Sequence, residues 1–255
     1  MGYQVYTCTL KSQKEIAPNI VEAWVENAEL AAEAKPGQFL HIQCGDTTSM
    51  PLRRPISICD VQGSCVRFIY EVKGRGTKSL QQQSGELDIL GPVGNGFTID
   101  NDTYQHPAVV GGGIGVYPML FLTKQLKGAS AYIGFRNKDL VTLEAEFNEA
   151  ADSVTITTDD GSYGIAGFAL EELKKDCAEK KFDIIYACGP KGMLRAVKAF
   201  AEGAGIPCQI SLEERMGCGI GACLTCSCET HHEGADKYKR VCRNGPVFWS
   251  EEVVL

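Results

Sequence analysis

The stretch Met216-Gly-Cys-Gly-Ile-Gly-Ala-Cys-Leu-Thr-Cys-Ser-Cys228 decides how the rest of the chain is organised. It spaces Cys218, Cys223 and Cys226 as C-x4-C-x2-C, the plant-type spacing of [2Fe–2S] ligands, and Cys242 downstream is the natural fourth ligand. Four thiolates must converge within a few ångströms, so the loop must turn tightly, and its glycines supply the backbone freedom. Bare backbone N–H groups in such a loop can also point at the sulfurs, which is one control on reduction potential.

Other uses of these cysteines stay open at this point. Cys223-x-x-Cys226 alone could be a zinc knuckle or a redox dithiol, and His231 and His232 could complete a zinc site. Zinc ribbons repeat C-x2-C, whereas the second half here is the single Cys242, so the sequence favours iron and sulfur over zinc. Cys228 is left over, either as a buried neighbour of the cluster or as one of its true ligands.

Length and composition limit the classes of protein to which the chain can belong. The 255 residues predict two or three small domains, and 44% hydrophobic with 22% charged residues is ordinary for a globular protein. A net charge of −7 without a basic run argues against nucleic acid and anionic membranes as partners. We expect no signal peptide and no membrane span, and twelve cysteines without a leader fit a reducing cytoplasm and metal binding.

Residues 1–101 read as a small antiparallel β-barrel with one helix. Six short runs of β-branched and aromatic residues are separated by turn signals such as Pro36-Gly37 and Gly91-Pro92. Arg53-Arg54-Pro55-Ile56-Ser57 could bind a pyrophosphate and a ring edge, and the glycines before Thr77 could open a helix towards a phosphate. Each signal is weak by itself, because the arginines could be plain surface charges and Thr77 a plain helix cap.

Residues 102–212 alternate strands and helices, which predicts a parallel sheet with helices on both faces. The loop Gly111-Gly112-Gly113-Ile114-Gly115 follows the first strand, where nucleotide phosphates bind in such sheets, although Val116 stands where a third motif glycine would fall. The alternative is a tight turn that needs glycine for geometry alone. Arg136 would favour NADP and Asp139 would favour NAD, and the sequence does not decide between them.

Residues 213–255 hold the cluster motif and a last apolar run. Val247-Phe248-Trp249 is predicted to be a strand that closes the small core of this segment or, as the alternative, faces a partner.

Several motifs resemble those of the ferredoxin–NADP reductase superfamily. Arg54-Pro55-Ile56-Ser57 is similar to its R-x-[YFI]-S flavin motif, and Gly76-Thr77 falls where those proteins bind the FAD pyrophosphate. The resemblance implies that Ile69, Tyr70 and Glu71 line the flavin ring or the adenosine. Gly112 to Pro118 looks like the superfamily's G-G-x-G-x-x-P signature, and Cys188-Gly189-Pro190 looks like its C-G-P motif, whose cysteine faces the nicotinamide.

Over its full length the chain resembles the electron-transfer subunits of type B dihydroorotate dehydrogenase. That resemblance implies that the chain uses FAD, a [2Fe–2S] cluster and NAD(H). The flavin would stand between a two-electron carrier and a one-electron carrier. The implied partner is a catalytic FMN subunit, in a complex with two copies of each subunit. No catalytic acid–base set is visible, since the four histidines are scattered. The alternative is a self-sufficient NAD(P)H reductase that serves an oxygenase, a sulfhydrogenase or a ferredoxin.

Overall fold

A computed structural model describes residues 3–46, 48, 50–234 and 237–255, and its first unit is a closed antiparallel barrel. The barrel strands follow the order β1-β2-β5-β4-β3-β6. Their bounds are β1 Val5–Ala17, β2 Ile20–Glu26, β3 Phe39–Ile42, β4 Arg54–Gln62, β5 Cys65–Glu71 and β6 Glu86–Val93. The predicted barrel of six strands is therefore confirmed.

Side chains alternate between the inside and the outside of the barrel, as strand geometry requires. On β3, Leu40 and Ile42 belong to the barrel core, whereas Phe39 packs in a different core, and His41 also lies on the outer side. Strand β3 pairs with β4 so that Phe39 lies opposite Ser57 and His41 opposite Pro55. The outer face of this strand pair therefore carries Pro55 and Ser57 of the predicted flavin motif.

Two short helices accompany the barrel. Helix α1, Ala28–Glu33, is absent from the prediction, and it begins where the side chain of Asn27 accepts a hydrogen bond from the N–H of Leu30 at 3.0 Å. Helix α2, Arg75–Gln81, begins two residues before the predicted start at Thr77, because Gly74 rather than Thr77 is its N-cap.

The second unit is a seven-stranded sheet in the order β10-β9-β8-β7-β11-β12-β15, and the predicted parallel arrangement is confirmed for its first six strands. The parallel strands are β7 Pro107–Gly112, β8 Ser130–Phe135, β9 Ser153–Thr158, β10 Ile165–Ala166, β11 Ile184–Cys188 and β12 Cys208–Ser211. The helices are α3 Val116–Thr123, α4 Glu144–Ala150, α5 Ala169–Asp176 and α6 Lys191–Ala204.

Helix α3 and a group of ion pairs join the barrel to the sheet. All eight residues of α3 are buried, and the helix packs against β4 of the barrel as well as β7 of the sheet. Arg67 of the barrel pairs with buried Glu22 and, at 2.6 Å, with Glu146 of α4. The two units are therefore held together by apolar packing and by charges that belong to both.

The remaining residues form a small third layer that returns to the sheet. Strands β13, Ser227–Glu229, and β14, Tyr238–Arg240, pair as a hairpin, followed by the short helix α7, Val241–Asn244. Strand β15, Val247–Trp249, then pairs antiparallel with β12. The predicted strand at 247–249 is confirmed, but it forms the edge of the large sheet instead of closing a small core of its own segment.

Among the helices of the described ranges, none combines the length and the apolar character that a membrane crossing requires.

Candidate functional site

The hairpin of β13 and β14 brings two of the predicted cluster ligands together. Ser227 lies opposite Arg240, so Cys226 and Cys242 flank the paired ends of the two strands. The N–H of Val241 donates to the carbonyl of Cys226 at 2.9 Å, and the N–H of Cys242 reaches the Sγ of Cys226 at 3.5 Å. Both thiols are buried in the core that they share with the sheet.

The other two predicted ligands form a second pair in the preceding loop. The Sγ of Cys218 accepts hydrogen bonds from the N–H groups of Ala222 at 3.3 Å and Cys223 at 3.4 Å. Gly219 and Gly221, with φ of 73° and 81°, turn the loop through a conformation that other residues rarely adopt. The sequence-based expectation that bare amides point at sulfur therefore matches this loop.

The arrangement of the thiols bears on the choice between zinc and a two-iron cluster. Across residues 3–46, 48, 50–234 and 237–255, no three His, Cys, Asp or Glu side chains are grouped as one metal ion would need. His231 and His232 are exposed beyond the end of β13, where the ring of His231 lies 3.5 Å from the ammonium of Lys198. Two adjacent thiol pairs fit a centre with two irons better than a single tetrahedral ion.

The thiols differ in how readily they ionise. Hydrogen bonds from the hydroxyl and the N–H of Thr225 lower the pKa of Cys223 to about 6. Burial is the main cause that raises the pKa of Cys242 to about 12, and the neighbouring Cys226 acts in the same direction. Metal binding to Cys242 therefore releases a proton. Cys228 is buried too, and its Sγ donates to the carbonyl of Lys239 at 3.4 Å, so it lies beside the ligand set.

His41 lies against the cluster loop, and sequence reasoning missed it. The ring is fully buried, and a Cβ added at Gly219 would lie 3.0 Å from its Cε1 and closer still to its Nδ1. Burial, then the charges of Arg53 and Arg54, lower the pKa of His41 to about 4, so the ring is neutral. The only available signal was a polar residue within the apolar run Phe39-Leu-His-Ile42.

The predicted flavin motif and the helix after it meet on the barrel. A Cβ added at Gly76 would lie 2.5 Å from Nε of Arg54, so only glycine lets the guanidinium cross the start of α2. A cavity of about 170 Å³ beside them is lined by Met50, Pro51, Leu52, Arg54 and Arg75. The hydroxyl of Thr77 accepts from the N–H of Lys73 at 2.9 Å and thus fixes the turn into the helix.

The other predicted flavin residues lie on both sides of the barrel wall. Pro55 and Ser57 face outwards, whereas Ile56 belongs to the barrel core. Tyr70 also points into the barrel, where its hydroxyl donates to Oε1 of Gln13 at 3.0 Å, so a contact from this position to FAD would come from the backbone. Ile69 packs in the core next to α3, and Glu71 is exposed at the end of β5.

The two predicted nucleotide loops are adjacent at the carboxyl edge of the sheet. Strands β7 and β11 pair in parallel with Gly111 opposite Cys188. A Cβ added at Gly115 would lie 2.6 Å from the nitrogen of Gly189, and one at Gly112 would lie 2.6 Å from the sulfur of Met193 and 3.3 Å from Pro190. The glycines therefore let the two loops touch through their backbones.

The environment of Cys188 favours a binding role over a nucleophilic one. Burial raises the pKa of its thiol to about 12, although a hydrogen bond with Ser211 acts in the opposite sense. A thiol that stays protonated contacts a nicotinamide ring but does not attack it. Arg136 and Asp139 are both exposed after β8. The backbone N–H of Asp160 donates a hydrogen bond to the carbonyl of Arg136 at 3.3 Å.

Comparisons with known proteins agree with this geometry. A family model described as the iron-sulfur cluster binding domain of dihydroorotate dehydrogenase B matches residues 213–254. Two relatives named "Dihydroorotate dehydrogenase B (NAD(+)), electron transfer subunit" come from Caldanaerobacter subterraneus and Geobacillus thermodenitrificans. They are 42% and 44% identical to this chain, over 96% and 97% of both chains respectively.

A solved NADH-dependent reduced ferredoxin-NADP oxidoreductase superposes with a TM-score of 0.86 at 30% identity, covering 97% of this chain and 89% of its own. The ferredoxin reductase of carbazole 1,9a-dioxygenase, at 17% identity and a TM-score of 0.69, shares the fold over 81% of this chain and 68% of its own. The extent of the match to the curated relatives decides the family. The chain belongs to the electron transfer subunits of NAD(+)-dependent dihydroorotate dehydrogenase B.

Proposed function

We propose that this chain carries electrons between an FMN-containing subunit that oxidises dihydroorotate and NAD⁺. The observation that carries the proposal is that a single polypeptide contains two thiol pairs, a flavin motif on the barrel and two touching loops at the edge of the parallel sheet. The names of relatives that match 96% or more of the chain support this function over a stand-alone reductase.

Each part of the framework has an assigned role in this proposal. Arg54 and Ser57 hold the phosphates and the ring of FAD, with Pro55, Ile56, Ile69, Tyr70, Glu71, Gly76 and Thr77 around them. The loops Gly111–Gly115 and Cys188–Pro190 receive the nicotinamide nucleotide. Cys218, Cys223, Cys226 and Cys242 would hold the [2Fe–2S] cluster. The pairing of thiols and the contact between Gly76 and Arg54 support these assignments.

The residues of this chain bind, orient and exclude water. When bound, FAD supplies hydride exchange with NAD(H) and single-electron exchange with the cluster. Burial keeps the thiol of Cys188 protonated, so that it packs against the nicotinamide without reacting. Because the histidines are scattered and provide no acid–base pair for dihydroorotate, that chemistry belongs to the partner.

We extend the proposal to the organisation of the complex. Residues 1–101 bind FAD, 102–212 bind NAD(H) and 213–255 hold the cluster, with β15 also serving the sheet of the middle unit. The complex contains two copies of each subunit and works in the cytoplasm.

The test is reconstitution with an FMN-containing dihydroorotate dehydrogenase subunit. We expect the two chains to co-elute at the mass of two copies of each, and dihydroorotate to reduce NAD⁺ only when both are present. The control is the catalytic subunit alone, with an artificial acceptor in place of NAD⁺. The proposal fails if the loaded chain does not bind that subunit, or if dihydroorotate bleaches the FMN while FAD stays oxidised.

A further inference from the structure

His41 lies at the junction between the flavin barrel and the cluster loop. Its neighbours Leu40 and Ile42 fill the barrel core, so its ring projects from the outer face. The ring is nevertheless fully buried, because the backbone of Gly219, next to Cys218, packs on it. A methyl group at 219 would overlap the imidazole, so glycine at this position permits the contact.

The same ring is next to the flavin motif. His41 lies opposite Pro55 in the pairing of β3 with β4, and directly opposite residues of an antiparallel pair are about 5 Å apart on one face. Arg53 fixes this part of the strand, since its guanidinium donates to the carbonyl of His41 at 3.3 Å and pairs with Asp88 at 2.7 Å. The imidazole is therefore held between the two places where redox groups are proposed.

The ring nitrogens have no partner within the described part of the chain. Nδ1 and Nε2 of His41 are both buried and make no hydrogen bond there. Burying a polar group without a partner destabilises a fold, and a leucine at this position would avoid that cost. A neutral imidazole always carries one N–H donor and one acceptor, so the site provides a donor against Gly219, the residue after Cys218, that no described group of the protein uses.

We propose that His41 is a positioning residue for the [2Fe–2S] cluster, whose ring N–H donates a hydrogen bond to a cluster sulfur from the flavin side. The inference rests on the proposed function, because it needs the four cysteines to hold the cluster. Hydrogen bonds to sulfur stabilise the reduced cluster more than the oxidised one, since the reduced form carries more negative charge. The ring therefore raises the potential of the cluster and fixes the cluster loop against the barrel.

The first experiment needs no mutation. The full chain, loaded with FAD and cluster under anaerobic conditions, is labelled with ¹⁵N-histidine, and the reduced cluster is examined by pulsed EPR. We expect one weakly coupled histidine nitrogen. Absence of any coupling in a preparation with full iron content overturns the proposal.

The second experiment uses two variants and a control. His41→Leu removes the donor, His41→Asn keeps an N–H, and His106→Leu changes an exposed histidine at the start of β7. We expect His41→Leu to lose the nitrogen coupling and to shift the one-electron equilibrium of the cluster about tenfold towards the oxidised form, which corresponds to about 59 mV. His41→Asn should recover most of the shift, and His106→Leu should show none.

The outcomes also separate this inference from the function on which it rests. An unchanged potential in His41→Leu, with iron and protein intact, reduces His41 to a spacer and overturns the inference alone. If the unmutated chain binds no iron and sulfide, the proposed function fails first. Should His41→Leu lose its cluster, the labelled unmutated protein still decides.

Discussion

The contact between the two nucleotide loops gives a sharp prediction for Gly115→Ala. The φ of Gly115 is −70°, so alanine introduces no backbone strain, and its cost comes from the added Cβ alone. That Cβ would lie 2.6 Å from the nitrogen of Gly189 and closer still to the carbonyl oxygen of Cys188, whereas ordinary contact begins at 3.4 Å, so the loops must separate by about 1 Å. Overpacking of this kind costs about 1–3 kcal/mol.

The functional effect should exceed the loss of stability. A misplacement near 1 Å at a reacting centre can lower rates about 100-fold, so we expect Gly115→Ala to lower kcat/KM for NADH by roughly 10- to 100-fold. The assay is stopped-flow bleaching of bound FAD by NADH, with thermal unfolding recorded on the same samples. Thermal unfolding should begin several degrees lower, at about 2–4 °C per kcal/mol.

Gly192→Ala is the matched control, because a Cβ at that position meets nothing within 4 Å. Gly192 lies within α6, where alanine stabilises a helix by about 0.5–1 kcal/mol. It should therefore leave NADH reduction of FAD unchanged. If folded Gly115→Ala reduces FAD at the unmutated rate, the two loops do not form the nicotinamide site.

Three further predictions test the other parts of the framework. Cys223→Ser should remove the cluster and stop electron transfer to the partner, while NADH still reduces FAD. Iron content and the two partial reactions measure this. Electron transfer to the partner that survives the substitution would refute the order of carriers. Gly76→Ala, whose Cβ would displace the guanidinium of Arg54, should lower the ratio of FAD to protein several-fold, whereas Gly74→Ala, which meets nothing within 4 Å, should not. Arg67→Met should destabilise the protein by about 3 kcal/mol in thermal unfolding, because it leaves a buried carboxylate without its arginine. Lys11→Met, which breaks an exposed pair, should lower the unfolding temperature far less, and equal losses in the two variants would contradict the argument.

Patterns that repeat along the chain made most of the fold predictable. In the first hundred residues, short runs of alternating apolar and polar residues predicted the strands of the barrel. Beyond them, short apolar runs separated by helical segments predicted the parallel sheet. The convergence of Cys226 and Cys242 follows from the hairpin between them, which places the two ends side by side. The spacing of the cysteines was therefore informative because local pairing alone brings them together.

Features that depend on distant contacts were missed. Val247-Phe248-Trp249 has the composition of a strand, but nothing local shows that its partner is β12, which ends 36 residues earlier. The orientation of Tyr70 depends on the register of β5 within the barrel, and a one-residue slip would reverse it. His41 acquires its importance from Gly219, almost 180 residues away in the chain, and no periodicity encodes that contact.

The pairing of β15 with β12 makes the cluster segment an insertion rather than an appended module. Cys188 lies opposite Ser211, and Ser211 lies opposite Val247, so one transverse row of the sheet runs from the nicotinamide loop to the root of the segment that carries the cysteines. Two strand spacings separate the ends of that row, roughly 10 Å. Backbone hydrogen bonds thus fix the position of the cysteine segment relative to the Cys188 loop, and the segment cannot swing as a domain attached by a single linker could. A truncated chain that ended before Val247 would lose this anchorage and expose an unpaired, apolar sheet edge prone to self-association.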